Sequence, residues 1–292
     1  ALNIDKFDLP EDFYETYLEN FQKVTVEDIK RVSNQYFLSE QLRVVVVGKG
    51  SEILENLEKL PYKISFYDTY GKITTKPDFS KPSGVTKSSI INKYLEAVGG
   101  KKKLEEVDAL MTMGEAVLQG GAMTLNLVTI QAKPNKLSVM MMMMGNIMMK
   151  QVFNGEDGYI MQQGQKMPFP EEEKEKLLSS SLPFEELGWL DDENVIFNFV
   201  SEENGVKEYV LKIDEKTSVY FDANTGLKTK QITMAPTPEG KMAPQATLYE
   251  DYREVEGILF PFIIKIPMGP QMLEFNTKQI QVNPNISDSD FN

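Results

Sequence analysis

Neither histidine nor cysteine occurs in this 292-residue chain, and that removes most of the usual catalytic chemistry. A Ser-His-Asp or Cys-His nucleophile system, an H-x-x-E-H zinc site and any Cys-based metal or redox centre each need an imidazole or a thiolate. What remains are carboxylates, phenols, amines and thioethers. Glu171-Glu172-Glu173 and Asp191-Asp192-Glu193 are the densest carboxylate runs, the natural candidates for a hard-metal site. Adjacent acids at helix ends and in loops read instead as solvated runs. Gly48-Lys49-Gly50 stands where a phosphate loop would, after a strand and before a helix. The third glycine of a G-x-G-x-x-G fingerprint would fall at Ile53, so the motif reads as a strand-to-helix turn.

Thioethers are the abundant group. Residues 138–150 run Ser-Val-Met-Met-Met-Met-Met-Gly-Asn-Ile-Met-Met-Lys and hold seven of the sixteen methionines. The run is too short to cross a bilayer as a helix and leads into Val152, Phe153 and the turn Asn154-Gly155, which predicts one or two buried strands bent at Gly145-Asn146. Alternation turns Val139, Met141 and Met143 one way and Met140, Met142 and Met144 the other, so both faces are apolar. Two readings fit such a strand: a Met-filled core, or the wall of a lipid-binding concavity, since Met repacks around variable shapes. The cavity wall on the second reading consists of Met140, Met141, Met142, Met143, Met144, Met148 and Met149 with Met111, Met113 and Met123, and Trp189 reports its occupancy.

The chain is long enough for two domains with separate cores. Its hydrophobic content of 41% and charged content of 26% are those of a globular protein, and a net charge of −13 argues against nucleic acid as a partner. The absence of Cys leaves the redox compartment open. No signal peptide, transmembrane run or initiator Met is present, which predicts a piece of a longer polypeptide.

Residues 1–72 alternate helix and strand. Leu9-Pro10-Glu11-Asp12 opens a helix carrying Phe13, Tyr17 and Phe21 at helical spacing, and Thr25-Val26-Glu27-Asp28 forms a capping box for a second through Ile29, Val32 and Tyr36. Leu42-Arg43-Val44-Val45-Val46-Val47 reads as a strand, residues 51–60 as a helix, and Lys63-Ile64-Ser65-Phe66-Tyr67 as a closing strand. The run FYETYLENFQKVTVEDIKRVSNQYFLSEQLRVVVVGKGSEILENL resembles the closing part of a domain of the insulinase/pitrilysin-like zinc peptidases, over about residues 8–70. The resemblance implies the non-catalytic end of a peptidase chain whose zinc is held by an upstream domain of the same polypeptide. No catalytic residue, metal ligand or cofactor is carried over to this chain. On that resemblance Tyr14 and Tyr17 are possible cleft residues, though their i, i+3 spacing reads as helix packing.

Residues 73–86, with two prolines and little apolar content, read as a linker to a second domain at 87–292. There residues 88–98 form an amphipathic helix with Ile90, Ile91, Tyr94, Leu95 and Val98 on one face, stopped by Gly99-Gly100. About ten strands follow, separated by Gly120-Gly121, Pro134-Asn135, Asn154-Gly155, Asn204-Gly205 and Asp222-Ala223-Asn224-Thr225-Gly226. Residues 169–190 interrupt the pattern with an acidic helix at 171–178 and the sole Trp, the mark of a lid, plug or binding loop. INKYLEAVGGKKKLEEVDALMTMG, KPNKLSVMMMMMGNIMMKQVFNGEDGY, VYFDANTGLKTK and DYREVEGILFPFIIKI together resemble the periplasmic lipoprotein carriers (LolA/LolB-like), over about residues 88–283. That resemblance implies an open half-barrel holding acyl chains, in the periplasm or at the outer membrane. No residue here matches the lipoprotein-handling residues of true carriers.

The expected fold is α+β: a partial α/β peptidase-like segment, then a strongly curved antiparallel β-sheet, an open half-barrel with helices on its concave face. The expected function is the non-catalytic region of an envelope-associated metallopeptidase that binds a lipid, lipoprotein or apolar peptide. The alternative is a structural module with a filled core and no ligand.

Overall fold

The computed structural model describes all residues except 1, 39–40, 49, 68–70, 119–122, 163, 170–176, 179, 204, 237–239, 269–270 and 292. The chain divides into two compact units, Ala1–Leu60 and Pro61–Asn292.

Among the described residues the first unit holds four α-helices, α1 (Leu2–Phe7), α2 (Phe13–Gln22), α3 (Val26–Tyr36) and α4 (Gly50–Leu57). The capping box of α3 is formed as the sequence predicts: the Thr25 hydroxyl oxygen accepts from the Asp28 N–H at 3.1 Å, and the Asp28 carboxylate accepts from the Thr25 N–H at 3.2 Å. Neither α2 nor α3 buries a residue. Tyr14 and Tyr17 pack edge-on and tilted against Phe13 of their own helix, and Tyr17 stacks on Phe21, so this aromatic row stays in solvent.

Residues 42–47 correct the sequence reading. They lie in no strand, and among the described residues no backbone–backbone hydrogen bond reaches 43–47. Val47 is 94% exposed. A strand exists only by pairing, and no other strand is described in this unit. Four adjacent β-branched residues with open edges and open faces make a sticky segment. Residues 1–60 expressed alone are therefore expected to self-associate, and Val45→Lys with Val47→Lys to reduce that association. Light scattering checks both; a wild-type fragment that stays monomeric with dispersed amide signals would contradict the expectation.

The second unit opens with a short hairpin, β1 (Phe66–Tyr67) and β2 (Ile73–Thr74). Its main body is a 13-stranded sheet in which every neighbouring pair is antiparallel. In chain order the strands are β3 (Ala109–Leu118), β4 (Met123–Ala132), β5 (Lys136–Met143), β6 (Asn146–Phe153), β7 (Gly158–Gln162), β8 (Gln165–Pro168), β9 (Ile196–Glu203), β10 (Val206–Lys212), β11 (Thr217–Asp222), β12 (Lys228–Pro236), β13 (Met242–Val255), β14 (Ile258–Met268) and β15 (Gln271–Val282). Two meanders, β3 to β8 and β9 to β15, join where β3 pairs with β15. The edges are β8 and β9, and the sheet is not closed.

Helix α5 (Lys87–Val98) fills the inside. Its buried residues are Ile90, Ile91, Tyr94, Leu95 and Val98, the face expected from spacing, and Gly99 at φ 145° ends it before α6 (Lys101–Glu105). A Cβ on Gly99 would lie 3.0 Å from the Gly257 carbonyl oxygen, so the close approach of helix and sheet admits only glycine there. One continuous core joins this helix to Leu110 of β3, Ile280 of β15, Ile258 and Phe260 of β14, Phe221 of β11, Leu211 of β10 and Phe197 of β9. Those strands span eight positions, about 34 Å in a flat sheet at the usual strand spacing. A helix with its side chains is only about 10–12 Å wide. The sheet reaches it on both sides because it curves, giving the open half-barrel.

Residues 75–86 guard the β9 edge. Phe79 packs edge-on against Phe199, and the Lys81 ammonium donates to the Phe197 carbonyl at 2.6 Å. A bulge that skips Asn198 puts Phe197 on the inner face and Phe199 on the outer, so this segment wraps the edge from outside to inside. On the outer face the C-terminal segment covers Ala109, Ala132 and Val152 with Phe291, and Asn283 accepts from the Asp108 and Ala109 N–H groups.

Candidate apolar ligand site

The methionine hairpin is built by its turn. Met144 (φ 51°) and Gly145 (φ 79°) occupy the two central positions, as a two-residue turn of the primed kind requires. Its geometry pairs Met143 with Asn146 and Met142 with Ile147. Continued unbroken, that register would pair Met140 with Met149. A bulge at Met148 intervenes, so Met141 faces Met149 and Met140 faces Lys150. The bulge moves Met149 to the inner face, sends the Lys150 ammonium to the outer one, and brings Phe153 opposite Leu137 in the core.

Cross-strand partners share a face, so the pairings sort the candidate residues. Met123, Met141, Met143 and Met149 lie on the inner face: Met143 pairs with Leu125 and Met141 with Leu127. Met111, Met113, Met140 and Met142 lie on the outer face, on the side of Ile130, Val128 and Asn126. Met144 is 78% exposed at the turn, and Met148 is exposed at the bulge. Trp189 is 5% exposed in the core around α5, in a different cluster from the methionines. The ten methionines and the tryptophan thus form no single wall. Nor are the strands fully buried, as both sequence readings require: Met140 to Met143 are half-buried. Among the described residues no second layer covers this part of the sheet.

The inner-face methionines join residues that the sequence did not single out. Met141 and Met143 pack with Ala116 and Leu118 of β3, Leu125 and Leu127 of β4, Ile266 of β14, and Leu273 and Phe275 of β15. The signal was present in the alternation of β3 and β4 around Gly120-Gly121, but the pairing of β3 with β15, some 160 residues away in sequence, brings in the rest.

The described residues of the inserted segment run elsewhere on the sheet. The connection from β8 to β9 links the two free edges of the sheet. Leu177 packs with Leu137, Phe153 and Phe169. The Gln131 amide donates to the Ser180 and Leu182 carbonyls at 2.8 and 3.0 Å. Phe184 lies against Phe260, and the 3-10 helix Glu185–Leu190 delivers Glu186 and Trp189 into the core. The acidic helix expected at 171–178 lies mostly outside the described residues.

Glu186 meets Lys228 of β12 at 2.6 Å, with side chains 4% and 13% exposed. The Tyr249 ring lies 4.8 Å from the ammonium, and the Tyr252 hydroxyl donates to the Lys228 carbonyl. Burial is the largest single influence and depresses the Lys228 ammonium, but the Glu186 carboxylate together with Tyr94, Tyr249 and Glu185 outweighs it and holds the group well above its usual range. Burial, then Glu186, raises the Tyr94 phenol beside them.

Helix α5 and this segment fill the inner face near Leu110, Gln131, Leu137 and Ile280. Leu118, Leu127, Met141, Met143 and Ile266, toward the other strand ends, remain half-buried. At three adjacent strand ends there the described residues 117–118 with 123, 142–149, and 266–268 with 271–272 include no Asp, Glu, Lys or Arg, whereas farther along the same end Lys212, Asp214, Glu215 and Lys216 join β10 to β11. Val117, Met144, Ile147 and Met272 are exposed on those three strand ends. The opposite end carries Lys101, Lys102, Lys103, Glu156, Asp157, Glu254 and Glu256. The uncharged stretch beside the cluster suits an uncharged ligand there.

Among the described residues no three carboxylates gather as a metal site. Asp192 accepts from the Asn194 N–H, and residues 171–173 lie outside the described ones. No described helix is long and apolar enough to cross a membrane.

No protein-family model matches the sequence, and no curated protein matches it. Solved structures similar to it include a LolA superfamily protein from Nitrosomonas europaea, with 13% identity over 72% of this chain and 98% of that one and a TM-score of 0.46. A DUF1329 family protein from Desulfovibrio piger matches at 7% identity over 70% and 96%, with a TM-score of 0.44. A putative outer membrane lipoprotein-sorting protein domain from Vibrio parahaemolyticus matches at 14% identity over 69% and 97%, with a TM-score of 0.41.

Proposed function

We propose that residues 61–292 are a binding module whose open half-barrel holds an apolar ligand, a lipid, lipoprotein acyl chain or apolar peptide, against the inner face of β3, β4, β5, β14 and β15. The observation that carries the reading is the half-buried cluster around Leu118, Leu127, Met141, Met143 and Ile266, which α5 and the described residues of the inserted segment leave uncovered. An uncharged rim beside it imposes no charge-desolvation cost on a passing apolar chain. Placement in the periplasm or at the outer membrane belongs to the same proposal, because lipoproteins are handled there.

For Ala1–Leu60 the reading is a segment that completes a larger insulinase-like domain of a metallopeptidase chain, zinc being held elsewhere. It is supported by the bare apolar faces of α2 and α3 and by the unpaired valines at 44–47.

The second reading, a scaffold with a filled core, draws on Ala116, Leu125, Leu273 and Phe275, which are buried without any ligand. Titration with cis-parinaric acid separates the two. The carrier reading expects saturable binding at about 1–50 μM, the range open to a chain of roughly twenty heavy atoms. Probe fluorescence that rises only linearly to millimolar concentrations would leave the scaffold.

A further inference from the structure

We propose that Met141, Met143 and Met149 form a thioether site for a soft monovalent metal ion, Cu(I) or its analogue Ag(I). The placement comes from the bulge at Met148. Without it Met149 would share a face with Met140; with it Met149 lies directly across from Met141, and Met143 follows two residues along on the same face. Directly paired and next-but-one side chains on a sheet lie about 5–8 Å apart. Three unbranched side chains with mobile thioethers converge across that distance on one ion.

The donor set determines the metal. Thioether sulfur is soft and neutral and selects Cu(I), whereas Mg, Ca and Mn need carboxylate, carbonyl or water oxygens. The chain has no thiolate or imidazole to compete for a soft ion. Facing these methionines across the strands are Leu125, Leu127, Asn146 and Gln162, with no carboxylate among them. Lys150, the nearest cation in sequence, is turned to the other face by the same bulge. A monovalent ion, weakly hydrated, fits a neutral half-open site; a divalent ion would lack counter-charge. The site goes beyond the apolar-ligand reading and does not need it, although Met141 and Met143 serve both.

The test uses the full chain labelled with methyl-13C methionine, titrated with Ag(I) in chloride-free buffer, and with Cu(I) under argon against a bicinchoninate competitor. The expected result is one ion per chain, with the methyl signals of Met141, Met143 and Met149 moving together. Met141→Leu with Met149→Leu keeps volume and apolarity. It is expected to weaken Ag(I) and Cu(I) binding more than about tenfold, since two of three soft donors are gone. The proposal is overturned if the wild type takes no ion from the competitor, if the double variant binds as tightly, or if the shifting methyls are those of Met111, Met113 or Met140. Loss of parinaric acid binding in the wild type would strike the carrier reading and leave this result standing.

Discussion

Lys228→Met is expected to lower the unfolding free energy by about 3–5 kcal/mol, the usual cost of removing one partner of a buried ion pair. The Lys228 ammonium lies 2.6 Å from a Glu186 carboxylate that is 4% exposed, so deleting the amine leaves a charge in the core with no route to water. The pair is held among Tyr94, Tyr249 and Tyr252, whose hydroxyls and rings offer it no second cation. Glu186→Leu added to Lys228→Met removes the stranded charge and is expected to recover most of the loss, which is the signature of desolvation rather than of lost packing. Urea unfolding followed by Trp189 fluorescence reads both variants, because Trp189 sits in the same core. The sign of the pH dependence follows from the raised Lys228 pKa. A raised cation stabilises fully below its unfolded value, about 10.4, and loses that contribution only as the pH climbs through the folded value. The contribution of Lys228 to wild-type stability should therefore stay constant between about pH 6 and pH 9. A loss below about 1 kcal/mol would mean the pair behaves as an exposed one.

Local grammar was readable in the chain. The Thr25-Asp28 capping box, the five-residue face of α5, its stop at Gly99, the pairing of β3 with β4 on either side of Gly120-Gly121, and the hairpins at Asn154-Gly155 and Asp222 to Gly226 each follow from residues within a few positions of one another. The curved antiparallel sheet around a helix followed from the same strand count. What escaped the sequence is non-local. Whether residues 42–47 pair depends on a neighbour that the valines themselves do not encode. The insertion was recognised as a break in pattern, yet its anchors, Gln131 on β4 and Lys228 on β12, lie 49 and 42 residues from their partners Ser180 and Glu186. Trp189 appeared beside the methionines only because both stand out in composition. Alternation assigned faces to Met140 to Met144 within one strand, but which face is the inner one, and where Met149 belongs, depend on a bulge whose compensating gain is the placement of Phe153 against Leu137 and Phe169.

That choice of face makes the sharpest prediction about binding. Met143→Glu is expected to weaken cis-parinaric acid binding by about 10- to 100-fold, whereas Met142→Glu leaves it within about twofold. Met143 pairs with Leu125 and packs in the inner cluster with Phe275, so replacing it removes about 1.5–3 kcal/mol of apolar contact, at 1.4 kcal/mol per factor of ten. The new carboxylate also has to be desolvated by an arriving acyl chain. Met143 is the last residue of β5, next to the exposed turn, so in the free protein its carboxylate reaches water and the fold survives. Met142 points to the opposite face across from Asn126 and is half-exposed already, so a carboxylate there meets solvent in both states. Trp189 is the wrong reporter for this experiment, being buried in the core around α5; the probe's own fluorescence measures occupancy, and urea midpoints of both variants confirm that neither has unfolded. If Met142→Glu abolishes binding and Met143→Glu spares it, the ligand lies on the outer face. If both variants unfold, the hairpin is ordinary core and the inner cluster is packing rather than a site.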